Sequence, residues 1–176
     1  NLGIVYGNLG DYEKSVACHK KAINSRIANL GNNHPNVAIS LISLGVTYHN
    51  LNDFFTAIEY YNLALQINKA NYGEDHPETA NCYNNIGAAF LLLNQFRNAS
   101  EYFETALNIR KKILQPNHPA IAECYNKLAI VSIKTRDSKN AKLYFKKALD
   151  AKVNYYGIKN YFTAKSYSNY GEIMLE

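Results

Sequence analysis

The chain has 176 residues, of which 47% are hydrophobic and 19% charged, and its formal net charge is +5. This composition supplies enough apolar side chains for a packed core, which excludes a disordered tail. No apolar run approaches the roughly 18 residues of a membrane-spanning helix. The three cysteines, Cys18, Cys82 and Cys124, are too few and odd in number for a disulfide scaffold.

A repeat of 42 residues runs along the whole chain. Its clearest mark is a His-Pro dipeptide at 34–35, 76–77 and 118–119, which continues in degenerate form at Asn160-Tyr161. Other positions keep the same register, and the small residues among them are Gly3, Gly45, Gly87, Ala129 and Gly171. Repetition at this density predicts one structural unit per period.

Each period contains two helical patterns separated by a short turn. In the second copy, apolar residues recur at steps of three and four over 38–48 and again over 57–65. This spacing predicts a first helix, helix A, near 35–50 and a second, helix B, near 54–72.

The small residues predict how the two helices pack. We expect Gly45 to face Ala57 and Ala64, so that two antiparallel helices approach closely, while Tyr48 and Tyr61 fill the space around them.

The linkers between repeats predict where helices end and begin. Gly31, Gly73 and Gly157 follow helix B, where a left-handed residue favours glycine. The proline of each His-Pro then suits the first position of the next helix A, with the histidine as its cap. The third linker lacks the glycine, and Pro116 is expected to stop that helix instead.

The small and large residues resemble the tetratricopeptide repeat, whose signature is aromatic, Leu-Gly, Tyr, Ala, Phe and Ala. Here these positions are Tyr83, Ile86-Gly87, Phe90, Ala99, Phe103 and Ala106. The 42-residue period, with His-Pro before helix A, resembles the repeats of kinesin light chains and nephrocystin-3-like proteins. The resemblance implies an all-α fold: a right-handed superhelical solenoid of antiparallel helix pairs.

The repeat count predicts one solenoid over residues 1–176. It comprises a partial repeat at 1–34, full repeats at 35–76, 77–118 and 119–160, and helix A of a further repeat at 161–176. Solenoids need polar capping repeats, and none is visible in the sequence. We therefore expect the natural protein to continue on both sides.

In this architecture helix A lines the concave surface, so the helix A positions not used for packing predict a peptide-binding groove. These residues are Ser43, Val46, His49, Asn50, Asn81, Asn84, Asn85, Asn126, Lys127, Ile130, Lys134, Lys165 and Asn169. One register forms a ladder of hydrogen-bonding side chains: Asn1, Ser43, Asn85, Lys127 and Asn169. A carboxamide can pair with the peptide unit of an extended ligand. The alternative is that these side chains are only the solvated faces of helices in an Asn-rich protein.

Charge predicts the character of the ligand. Residues 1–104 carry a net charge of −3 and residues 105–165 one of +10, whereas the groove near Ile39, Ile42 and Val46 is apolar. We therefore expect a peptide with acidic residues at one end and an apolar or aromatic anchor at the other. Resemblance to kinesin light chains implies the same kind of cargo peptide.

Other functions receive less support from the sequence. No phosphate loop, paired acids or nucleophile–base set is present, so the prediction is a protein that is not an enzyme, has no cofactor and takes no small-molecule substrate. The three His-Pro histidines are expected to cap helices rather than bind metal, and unpaired cysteines favour a cytoplasmic location. The basic block at 105–165 leaves nucleic-acid or anionic membrane binding open, as does a purely architectural or self-associating solenoid.

Overall fold

A computed structural model describes residues 2–174, apart from the side chains of residues 169 and 172–174. The described part folds into nine helices and contains no strand. They are α1 (Leu2–Asn8), α2 (Tyr12–Leu30), α3 (Pro35–Asn50), α4 (Phe54–Tyr72), α5 (Pro77–Leu92), α6 (Phe96–Ile113), α7 (Pro119–Lys134), α8 (Ser138–Tyr156) and α9 (Tyr161–Met174). Odd-numbered helices are the predicted helices A and even-numbered ones the helices B. Each helix packs on the next to form a right-handed superhelical solenoid.

The His-Pro dipeptides begin α3, α5 and α7, as predicted. Proline occupies the first turn, and the histidine Nδ1 accepts a hydrogen bond from the backbone N–H two residues later. The distances are 3.1 Å for His34, 3.2 Å for His76 and 3.1 Å for His118. Each histidine therefore satisfies one of the N–H groups that a helix start leaves unpaired.

The linker glycines follow the helices B as expected, but in a different conformation. Gly31, Gly73 and Gly157 have φ between 81° and 85°, with ψ of 162°, −178° and 168°. The left-handed helical conformation has ψ near 47°, so that part of the prediction is wrong. The observed region is open essentially to glycine alone. Helix α6 instead ends at Ile113, with an extended Leu114 shortly before Pro116.

A second recurring turn joins helix A to helix B. Its central residue has a positive φ in four successive copies: Gly10, Asn52, Asn94 and Arg136. The following residue is an aspartate that caps helix B in three of them, since Asp11, Asp53 and Asp137 accept from the backbone N–H three residues later. This turn reverses the chain and sets the two helices antiparallel.

Within a pair, the glycine of helix A lies against an aromatic ring of helix B. A Cβ atom on Gly45 would lie 2.6 Å from Tyr61, and one on Gly87 would lie 2.9 Å from Phe103. The ring of Tyr61 is thus the nearest neighbour of Gly45, and the contact of Gly45 with Ala57 and Ala64 stays a prediction. Tyr61 and Phe103 are the largest fully buried side chains.

Candidate functional site

Successive helices A form one surface, here called the inner face. Helix α5 contacts α7 as well as its own neighbours in sequence. The charge of Lys127 on α7 also acts on His49 on α3: burial is the main cause of the lowered pKa of His49, and the Lys127 ammonium lowers it further. Helices α3, α5 and α7 therefore present side chains to a shared space.

The predicted groove residues differ in accessibility. Ser43, His49, Asn81, Asn85, Asn126, Lys127 and Ile130 are half-buried, and Val46, Asn50, Lys134 and Lys165 are exposed. Asn84 is buried, with 9% of its surface accessible. The side chain of Asn169, and the whole of Asn1, lie outside the described residues.

Two asparagines of the inner face, one period apart, each contain a buried polar atom that lacks a hydrogen-bond partner in the described part of the chain. The Oδ1 atoms of Asn84 and Asn126 are buried and have no hydrogen-bond partner among the described residues. Buried polar atoms are nearly always paired, and each unpaired one costs about 1–3 kcal/mol. Ile42, at the same register of the preceding repeat, packs against the core. Because the fold accepts isoleucine there, the two asparagines are not required for folding.

A buried arginine forms a hydrogen bond with one of the predicted groove residues. Arg110 on α6 is 5% exposed and donates to the Oδ1 of Asn81 at 3.0 Å, to the carbonyl of Ala120 at 2.9 Å and to the Sγ of Cys124 at 3.1 Å. Its guanidinium also lies 3.7 Å from the Glu123 carboxylate. Arg110 thus joins α5, α6 and α7 beneath the inner face, and the acceptor of Asn81 is already engaged.

Sequence reasoning missed this arginine, although the repeat register contains a signal for it. Asn68 and Arg26 stand one and two periods earlier and donate to equivalent atoms, the carbonyl and the side chain of the next helix A. A polar residue that recurs at a buried position of helix B was the sequence signal for these contacts.

The apolar end of the inner face contains a cavity of about 240 Å³ between α1 and α3. Its lining includes Ile4 and Asn8 of α1 and four residues that the sequence assigned to the groove: Ile42, Ser43, Val46 and Asn50. The Ser43 hydroxyl donates to the Ile39 carbonyl at 3.0 Å, so it is used within its own helix. A cavity with these walls has room for an apolar side chain and polar groups at its rim.

The opposite end of the inner face is basic. Lys127, Lys134 and Lys165 project from α7 and α9. Lys152 lies nearby on α8, and its pKa is lowered by burial and then by the charge of Lys165. The positive charges are therefore close enough to influence one another, which favours an anionic ligand at this end.

The cysteines and histidines form no assembled reactive site in the described part of the chain. No group of three or more His, Cys, Asp or Glu side chains could hold a metal ion there. Cys82 and Cys124 are buried free thiols, and burial raises the pKa of Cys82 to about 12. A thiol with so high a pKa is a poor nucleophile at neutral pH.

Comparisons with known proteins agree with this architecture. A family profile described as tetratricopeptide repeat matches residues 1–67, 46–112 and 98–152. No curated protein sequence matches the chain. Within residues 2–174, no helix combines the length and apolar character needed to cross a membrane.

Three solved structures show the same fold at low sequence identity. BtubC (BKLC) from P. vanneervenii has a TM-score of 0.88 at 22% identity, over 99% of this chain and 69% of that one. A Podosopora anserina protein assigned to the kinesin light chains, with nearly identical TPR-like repeats, gives 0.83 at 17% identity over 99% and 82%. The apo form of RapI gives 0.81 at 17% identity over 98% and 60%.

Proposed function

This chain belongs to the tetratricopeptide repeat family, whose members are typically non-catalytic protein-interaction scaffolds, and from that premise we propose that it binds an extended peptide along its inner face. The observation that carries the proposal is the pair of unpartnered carboxamides at Asn84 and Asn126. They stand one period apart on adjacent helices A, at a position where isoleucine also fits the fold.

Carboxamides suit the recognition of a peptide backbone. Each offers a donor and an acceptor, the same pair that a peptide unit offers in return. Neighbouring helices pack roughly 10 Å apart, and an extended chain advances about 3.3 Å per residue. Once their side chains turn outward, Asn84 and Asn126 would contact peptide units about three residues apart in one ligand.

The two ends of the inner face favour different ligand side chains. The cavity near Ile4, Ile42 and Val46 suits an apolar or aromatic anchor. Lys127, Lys134 and Lys165 suit carboxylates at the other end. Several hydrogen bonds of about 1 kcal/mol each, one anchor and screened charges support a micromolar Kd.

The test uses a ten-residue peptide with a Trp at one end and three Glu at the other. The protein contains no Trp, so the emission of the peptide reports its own binding without background. A control peptide replaces the three Glu with Lys. Micromolar binding of the acidic peptide, and at least tenfold weaker binding of the control, is the expected result. Equal binding of both peptides, or binding of neither, would overturn the proposal.

A double variant separates recognition from folding. Asn84→Ile with Asn126→Ile removes the two unpartnered oxygens, so we expect the free energy of unfolding to rise by about 1 kcal/mol per site. Peptide binding should weaken at least tenfold. Asn108→Ile, at an exposed position of α6, is the matched control and should leave the Kd unchanged. A double variant that binds as well as the unmodified protein would contradict a role for these carboxamides.

A further inference from the structure

The face opposite the inner face, here called the outer face, has a groove between each pair of successive helices B. Each groove has a residue of helix A at its floor and one residue on either wall, and all three recur every 42 residues. In the groove between α2 and α4 these residues are Ile27, Leu41 and Leu63, which line a cavity of about 280 Å³. This first groove is apolar at all three positions.

The next groove, between α4 and α6, has Lys69, Tyr83 and Thr105 at the same positions. The Lys69 ammonium lies 5.7 Å from the centre of the Tyr83 ring. It also pairs with the Glu74 carboxylate at 2.8 Å. The single positive charge of this groove is therefore neutralised within the protein.

The third groove, between α6 and α8, has Lys111, Tyr125 and Lys147, here called the outer cradle. The ammonium groups lie 5.4 Å and 5.6 Å from the centre of the Tyr125 ring, which also stacks on Tyr144 at 6.2 Å. Both lysines are exposed, and neither forms an ion pair within the described residues. The Tyr125 ring thus contacts two lysine ammonium groups that no carboxylate of the described residues neutralises.

This arrangement is costly without an anionic partner. Cation–π contacts orient both lysines toward one ring, yet the like charges repel one another. Lys139, Lys142 and Lys146 on α8 add to the positive potential. Two helix B lysines, Lys111 and Lys147, converge here from helices in different repeats.

We propose that the outer cradle binds an acidic segment of a protein partner, with two neighbouring carboxylates on Lys111 and Lys147. The lysine stems are ordered before binding by their contact with Tyr125, which lowers the entropy that a ligand must offset. The proposal concerns a second surface and does not depend on peptide binding at the inner face.

The charges favour a short acidic segment over a nucleic acid. Duplex DNA needs an extended row of cations, whereas acidic side chains interrupt this face on α6. Glu104 accepts a hydrogen bond from Ser100 at 3.3 Å. It also contributes, after burial, to the raised pKa of Tyr144, so it lies at the other end of the same groove. A phosphate chain that continued along the groove would meet this carboxylate.

The experiment measures binding of fluorescein-labelled hexaglutamate by anisotropy. Lys111→Gln with Lys147→Gln keeps the aliphatic stems and removes both charges of the cradle. Lys139→Gln with Lys146→Gln is the matched control, because it removes the same charge from two exposed positions of α8. We expect the cradle variant to raise the Kd about fivefold or more and the control by less than about twofold, which is the size expected for screened charges.

Further arms separate the outer cradle from other surfaces. Lys20→Gln with Lys21→Gln removes the same charge from two exposed positions of α2 and should leave hexaglutamate binding within about twofold. Equal losses in the cradle and control variants would overturn the proposal. It would also be overturned if a 20-base-pair DNA duplex or phosphatidylserine vesicles lost as much affinity as hexaglutamate in the cradle variant. Failure of the Asn84 and Asn126 test would leave these outcomes unchanged.

Discussion

At the scale of single residues, close packing inside each helix pair depends on a glycine that faces an aromatic ring. A Cβ atom on Gly45 would lie 2.6 Å from the ring of Tyr61, which is only 2% exposed and cannot move aside. We expect Gly45→Ala to lower the free energy of unfolding by about 1–2 kcal/mol, because overpacking outweighs the roughly 1 kcal/mol that alanine gains in a helix. Urea denaturation measures the difference.

The control for that substitution is another helical glycine in the same register. A Cβ atom on Gly171 would meet no described residue within 4 Å, so Gly171→Ala should be neutral or stabilising by up to about 1 kcal/mol. Equal effects of the two substitutions would contradict the close-packing explanation.

His19 occupies the aromatic register and gives stability a pH dependence. Burial lowers its pKa below the ordinary value of 6.5, and burial lowers that of His49 as well. The folded state therefore binds these protons less readily than the unfolded state. The stability that the two neutral histidines contribute is complete above pH 6.5. It is lost as the pH falls from 6.5 toward their lower pKa values in the folded state.

We therefore expect the urea midpoint to fall between pH 7.5 and pH 5.5, and to fall less in His19→Phe. Phenylalanine matches Phe103 and Phe145 in the same register and has no proton to bind. Identical pH dependence in the two proteins would show that His19 does not contribute.

The sequence predicted which residues share a helix face better than which atoms meet across it. Periodicity identified Gly45 and Tyr61 as packing residues, yet it did not identify the Tyr61 ring as the nearest neighbour of Gly45. The axial offset of two antiparallel helices depends on the backbone of the turn between them, and a pattern of residue types does not contain that offset.

At the scale of elements, one helix start departs from its three equivalents. Asp11, Asp53 and Asp137 cap α2, α4 and α8, whereas Gln95 makes no side-chain cap to α6. The backbone is the same, with φ −87° and ψ 68° at Gln95 and φ −87° and ψ 74° at Asp53. We expect Gln95→Asp to stabilise the protein by about 1 kcal/mol in thermal or urea unfolding.

The reciprocal substitution, Asp53→Gln, is its control and should cost about as much. Stabilisation by Gln95→Asp without loss in Asp53→Gln would point to surface charge instead of capping.

Helix boundaries followed closely from local sequence. The His-Pro dipeptides fixed the starts of α3, α5 and α7, because proline and a capping side chain each act within one turn. The ψ angles of Gly31, Gly73 and Gly157 could not be predicted, since glycine enters both positive-φ regions at similar cost.

At the scale of the whole molecule, contacts between repeats were the hardest to predict. The concave list came from the register of helix A, and the cavity at Ile4, Ile42 and Val46 brings several of its members together. The joining role of Arg110 and the convergence of Lys111 and Lys147 were missed. Long side chains reach into neighbouring repeats by an amount that depends on the curvature of the solenoid.

The division into full repeats at 35–76, 77–118 and 119–160 remains a prediction, and deletion of one unit tests it. Removing residues 77–118 joins α4 to α7. His76 then precedes Pro119, so the junction keeps the His-Pro dipeptide that begins a helix A. Because each repeat contacts only its neighbours, we expect a helical protein with one cooperative urea transition and an m-value lower by about a quarter. Removing the half-period 77–97 instead places residues 98–113 of α6 after α4, so two helices B follow one another and the pairing is lost. Loss of cooperative unfolding in both deletions would show that the 42-residue unit is not independent.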